Sequence, residues 1–201
     1  MLREAILLLV LVSSSTIEGA DLPSAIEVRA RVLGTSYCAA DNEVGFVNVG
    51  VSLTFRNSST FPVLFFKSAG VISQITVFKT LQDLHEGRQE HQYSSTTIDA
   101  ELAAPKTSMF VQIKPGETFS VKTKVALPIV LSENPTMTFG VRPGEHWLSL
   151  MVSTWPHQSV SPGAVQSILR EERPIFFSSL MAPPVRIEIA RVLQPKPCDS
   201  K

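Results

Sequence analysis

The densest run of side chains able to bind a metal or move a proton is Leu84-His85-Glu86-Gly87-Arg88-Gln89-Glu90-His91. Imidazole and carboxylate groups ligate zinc and related ions, and both serve as general acids or bases. The spacing fits no zinc motif, because an HExxH helix beginning at His85 needs a histidine at position 89, where Gln89 stands. The run belongs instead to a solvated connection, Gln82 to Thr97, the longest polar stretch in the chain. Binding residues concentrate on loops held by a rigid scaffold. His85, Glu86, Glu90 and His91 are therefore the first candidates for a partner surface. A hydrolase or metal-dependent enzyme using this loop is the alternative reading. No metal ligand set and no cofactor is assigned.

Two further histidines flank the tryptophans: His146 precedes Trp147, and His157 follows Trp155-Pro156. Trp147 and Trp155 on a single strand would share a face, since their separation of eight is even, although Pro156 marks a strand end. An exposed pair suits carbohydrate or peptide, whereas core or edge packing suits a tryptophan whose indole N–H finds a partner. Other chemistry is thinly supported. There is no GxSxG nucleophile elbow, no phosphate-cradling GxxxxGK, no GxGxxG and no zinc-finger cysteine spacing. No catalytic residue is assigned, and the expectation is a protein that is not an enzyme. Asn57-Ser58-Ser59 is formally an N-glycosylation acceptor, but those residue types between two apolar runs read as a turn.

The elements that must position these groups follow from composition and periodicity. The chain has 201 residues, 44% hydrophobic and 18% charged, enough for one domain with a packed core. Eighteen basic residues balance eighteen acidic ones, which argues against a nucleic-acid partner and against an acidic tail. Arg3, an apolar run from Ala5 to Val12 and Ser13-Ser14-Ser15 follow the order of a secretory signal peptide over residues 1–20. Cleavage is placed after Ala20, with Ser15 and Gly19 as alternatives. The run is too short to span a bilayer, so a mature chain at 21–201 with no membrane span is expected in a secreted or periplasmic location. Cys38 lies too far from the apolar run for bacterial lipid attachment.

Phe46 to Phe55 alternates, with Val47, Val49, Val51, Leu53 and Phe55 on one face, the pattern of a half-buried strand. Pro62 to Phe66 and the β-branched Val71 to Lys79 read as further strands. Val111 to Lys114 and Phe139 to Arg142 each run into a Pro-Gly-Glu turn, at Pro115 and Pro143, and then into alternating residues. Proline presets φ at the second turn position and glycine accepts positive φ at the third, so both copies predict strand, turn, strand. One stretch favours helix: Ser161 as cap, Pro162 at the first position, then Val165, Ile168 and Leu169 before Pro174. Short strands separated by Pro, Gly, Asn and Ser predict an antiparallel sandwich, with an up-and-down barrel as the alternative. The segment at about 156–184 reads as an insertion before a last strand at Val185 to Leu193.

Ile26 to Leu33, the first strand, and Arg186 to Leu193, the last, share the sequence Arg-Val-Leu near their ends. Aligning Arg31 with Arg191 also aligns Cys38 with Cys198, each five residues past the leucine. If the two strands run in parallel at one edge in that register, the cysteines emerge together and form a disulfide outside the cytosol. A cross-link closing so long a loop contributes about 5 kcal/mol in the chain-entropy account.

Val51 to Ser59, Phe61-Pro62-Val63-Leu64 and Ile113 to Glu117 resemble bacterial extracytoplasmic immunoglobulin-like domains and are similar to proteinase-inhibitor-like domains of that architecture. The resemblance spans about residues 26–155 and implies an all-β, immunoglobulin-like antiparallel β-sandwich with one short helix before the last strand. It transfers no inhibitory or catalytic residue, because a fold hosts many activities. The expected function is non-catalytic binding of a protein or cell-surface component. Protease inhibition through an exposed loop is a further alternative.

Overall fold

The structure, a computed structural model, describes residues 25–39, 44–68, 71–94, 105–130, 140–155 and 161–191. The leader-like residues 1–20, His157 and Cys198 lie outside the described residues.

The chain is all-β, with antiparallel sheets around one hydrophobic core. A three-stranded sheet is built from β1 (Ile26–Ala39), β2 (Val44–Asn57) and β7 (Thr118–Val130), in the order β1-β2-β7. A four-stranded sheet has the order β5-β4-β8-β9, from β4 (Val71–Phe78), β5 (His91–Ser94), β8 (Gly144–Ser153) and β9 (Ser179–Ile189). β3 (Val63–Phe66) and β6 (Phe110–Ile113) pair with each other. The alternation of β2 is realised in full: Val47, Val49, Val51, Leu53 and Phe55 are completely buried. They share one core with Val77 of β4, Leu148, Leu150 and Val152 of β8, and Ile187 and Ile189 of β9. Two sheets with facing inner sides fit a β-sandwich-like arrangement.

β3 is buried at all four positions, so it reads as a continuous apolar run rather than an alternating one. Phe65 meets Phe55 of β2 at 4.6 Å between ring centroids, Phe119 of β7 at 5.8 Å and Phe176 at 6.3 Å. The turn between β2 and β3 is made by Asn57, whose side chain is wholly buried. Its Nδ2 donates to the carbonyls of Phe61 (2.8 Å) and Ile113 (2.9 Å), and its Oδ1 accepts from the backbone N–H and hydroxyl of Ser59. The Pro115-Gly116 turn packs on the same corner, with Gly116 N–H donating to the Asn57 carbonyl and Asn57 N–H to that of Glu117. Gly116 has φ of 77°, the left-handed region that glycine accepts without strain. The Asn57 amide is spent on this corner, which rules it out as an exposed glycan site in the folded chain.

Several expectations are corrected. The second Pro-Gly makes no hairpin: Val141 forms only an isolated parallel bridge to Ile129, and Gly144, at φ of 138°, opens β8. The last strand starts at Ser179, earlier than Val185, because a bulge between the pairs Leu148–Val185 and Leu150–Ala182 absorbs Pro183-Pro184 on an edge strand. The helix before it, α2 (Pro162–Leu169), forms as the caps predict, with Ser161 Oγ accepting from Ala164 N–H and Val165 buried. A second helix, α1 (Leu81–His85), was not anticipated.

β1 and β9 do run alongside in parallel, at facing edges of the two sheets rather than in a shared ladder. Ile26 to Arg29 line the same cleft as Ser178 to Met181 at one end. At the other end the Tyr37 hydroxyl accepts from Ala190 N–H at 2.9 Å and lies 3.4 Å from the Glu188 carbonyl. Position 37 therefore sits beside about 189, a register about eight residues away from the one that aligned Cys38 with Cys198. Side-chain packing across the sandwich edge, not the repeated Arg-Val-Leu, sets it.

Candidate functional site

The polar stretch from Gln82 divides into structured pieces. Thr80 caps α1, with its hydroxyl accepting from Asp83 N–H at 3.0 Å. Arg88 closes the helix back on itself, bonding Asp83 at 3.0 Å and pairing with Glu86. The Thr80 hydroxyl and Arg88 together hold the Asp83 carboxyl below its usual range. His85 and Glu86 are exposed at the end of this helix. Glu90 and His91 leave it: His91 opens β5, an edge strand paired with β4, and its ring stacks on Tyr93 at 5.9 Å. The four loop candidates thus separate into two pairs. Among the described residues, no three His, Cys, Asp or Glu side chains converge as a metal site.

Glu90 instead meets a histidine from another strand. His146 is buried on the inner face of β8, and its Nε2 lies 2.8 Å from the Arg142 carbonyl. A carbonyl only accepts, so Nε2 carries a proton. Nδ1 then faces Glu90 Oε2 at 3.2 Å, close enough for an ion pair but without an aligned hydrogen bond. His146 holds the Glu90 carboxyl below its ordinary range, against a desolvation that pushes it up, with His91 and Lys79 adding weaker pulls. The Tyr93 hydroxyl is buried without a hydrogen-bond partner among the described residues, and burial, reinforced by Glu90, pushes its pKa up to about 12. This cluster fastens β5 to the start of β8. Glu90 and His146 turn their polar groups toward each other.

The tryptophans do not form a platform. Trp147 lies on the outer side of β8, across from Phe78 and Arg186. Trp155 follows the other end of the strand, about 26 Å away at ~3.3 Å per residue, and packs on Phe66 at 5.5 Å and Phe110 at 6.3 Å. Of the two roles weighed for Trp155, core packing is the one it fills.

The feature that sequence reading missed is the outer face of the three-stranded sheet. Strand register places Arg31, Ser52 and Lys122 in one cross-strand row, and Arg29, Thr54 and Ser120 in the next. Gly34, Gly50 and Lys124 form the row on the other side, and Glu27, Arg56 and Thr118 the outermost. Among the described residues, five cations share this face with one carboxylate, Glu27, which lies 4.0 Å from Arg56. Arg29, Arg31, Lys122 and Lys124 have no ion-pair partner among the described residues. Rows on one face repeat at ~6.8 Å along the strands and strands lie ~4.8 Å apart, so the cations form a regular lattice. Beside Lys122 and Lys124 a shallow cavity of ≈ 550 Å³ opens over Gly34 and Gly50. The outer face of the four-stranded sheet carries Gln74, Thr76, Ser149 and Met151 instead, with Arg186 paired to Glu145. The neutral total charge of the chain thus conceals one locally basic face.

No family model matches the chain, and no curated protein matches it. A solved structure, described as the X-ray structure of Northeast Structural Genomics Consortium target SoR45, is similar over 83% of this chain and 89% of its own. The identity is 9% and the TM-score 0.37. That likeness carries no argument about function.

Proposed function

We propose that this protein is a secreted or periplasmic, non-catalytic binding module of immunoglobulin-like sandwich type, and that its binding surface is the outer face of the β1-β2-β7 sheet. The observation that carries this reading is the group of cations without an ion-pair partner among the described residues, Arg29, Arg31, Lys122 and Lys124, on a face whose only carboxylate among those residues is Glu27. Like charges gathered without partners repel one another, so the face gains electrostatic energy when an anionic partner covers it. The partner is a protein or surface component presenting acidic groups. The leader-like residues 1–20 support export. Cys38 is not a free thiol and Cys198 is the one other cysteine of the sequence, which supports a Cys38–Cys198 bridge formed outside the cytosol.

The test compares pull-downs from the native extracellular fraction using the wild-type chain and a variant carrying Arg29→Glu, Arg31→Glu, Lys122→Glu and Lys124→Glu. A partner retained by the wild type, released by raised salt and absent with the variant is the expected result, because exposed charge pairs are screened beyond about 10 Å at 0.1 M salt. Equal recovery by both proteins refutes the assignment of this face.

A further inference from the structure

The basic face is not uniformly polar, and its shape restricts the partner further. β1 bulges between Val32 and Gly34, which turns Leu33 outward and leaves it half exposed. Its Cβ lies 3.6 Å from where a side chain on Gly50 would begin, so Leu33 forms a wall of the cavity over the glycines. Lys122 and Lys124 stand on the opposite side, with Asn48 and Ser36 at one end.

Neither glycine is required by the backbone. Gly34 and Gly50 face each other across the ladder, neither has a left-handed φ, and a Cβ at Gly34 meets nothing within 4 Å. Glycine inside a strand is destabilising relative to alanine. Here that cost leaves a floor free of side chains between an apolar wall and two ammonium groups.

We infer that this groove receives an acidic segment of a partner protein, with one apolar or aromatic side chain seated on Leu33 and the glycine floor, and carboxylates on either side meeting Lys122, Lys124 and Arg31. This deepens the function proposed above and rests on it. The chemistry selects a peptide over other polyanions. Single-stranded nucleic acid is held by aromatic side chains on which bases stack, and none lines the groove. A sulfated polysaccharide satisfies the cations but brings no apolar group to Leu33. An extended peptide repeats same-side residues at ~6.8 Å, which matches the spacing of Lys122 and Lys124 along β7.

The experiment measures fluorescence anisotropy of two labelled probes against the full chain: a peptide with a central phenylalanine flanked by two aspartates on each side, and the same peptide with serine at the centre. The phenylalanine peptide is expected to bind at least fivefold tighter. Leu33→Ser removes that difference. Gly34→Val fills the groove while suiting a strand better than glycine, so it abolishes the preference with thermal stability equal to or above that of the wild type. Lys122→Glu with Lys124→Glu weakens both peptides at least tenfold. Equal binding of the two peptides, with charge reversal still effective, overturns the groove and leaves the basic face standing. Binding of neither peptide but of a heparin-like polysaccharide overturns the peptide partner and keeps an anionic one. Peptide binding indifferent to charge reversal overturns both readings.

Discussion

Replacing Asn57 by alanine tests how the corner between β2 and β3 is held. The side chain donates two hydrogen bonds, to the Phe61 and Ile113 carbonyls, and accepts two from Ser59. A buried hydrogen bond contributes about 1 kcal/mol net, and an orphaned buried partner costs about 1–3 kcal/mol. Without the Asn57 side chain the one Ser59 hydroxyl hydrogen is free to turn to the Phe61 carbonyl, 2.8 Å away, which recovers one of the four bonds. Three effective bonds remain, about 3 kcal/mol in total. For a domain of this size each kcal/mol lowers Tm by about 2–4 °C, so a fall of about 10 °C is expected. Asn57→Asp is the sharper perturbation. It keeps the shape but turns the amide that donates into a carboxylate oxygen facing two carbonyls, so at pH 7 it should cost more than alanine. Acidification should recover part of that loss, because a protonated carboxyl regains a donor. Urea denaturation followed by tryptophan fluorescence at pH 7 and in mild acid reads both effects. An alanine variant within 1 kcal/mol of wild type, or an aspartate variant as stable as alanine at pH 7, would refute the corner as the structural keystone.

Three other outcomes are expected. Tyr93→Phe removes a buried hydroxyl that has no partner among the described residues, so stability at pH 7 should stay level or rise by up to about 1 kcal/mol. Because the Tyr93 pKa is raised to about 12, its contribution is complete below about 10 and is lost as pH rises from there to 12; thermal melts across that range should lose this limb in the phenylalanine variant. Glu90 is shifted the other way, so its contribution is present above its ordinary value of 4.5 and disappears as pH falls through the lower folded value. Glu90→Gln should flatten that acid limb, and an unchanged acid transition counts against the His146 contact. Tyr37→Phe strips the acceptor from Ala190 N–H and should cost about 1 kcal/mol, with faster hydrogen exchange at Ala190; protection equal to wild type there contradicts the edge clip.

What was legible in the sequence was local. The alternation over Val47 to Phe55 needs only the two-residue period of a strand, and a single buried face makes its register unambiguous. Ser161-Pro162 announces α2 through its own cap geometry. The Asn-Ser and Pro-Gly turns are local chemistry too, although their meeting at one corner joins residues 57 and 116 through the β2-β7 pairing. α1 has a local signal too, Thr80 three residues before Asp83, but a weak one, because only one turn and a half follows and none of it is buried.

The candidate surface was not legible at all. Arg29, Arg31, Lys122 and Lys124 come from strands separated by about ninety residues of chain, in a protein with equal numbers of acids and bases. Likewise Glu90 and His146 meet only because β5 and β8 flank β4. Periodicity, capping and turn types act over a few residues, so the amino-acid order alone specified an all-β chain with its buried faces. Which outward side chains become neighbours depends on cross-strand register and layer packing, and those long-range pairings, absent from any local pattern, drew the basic face and its groove.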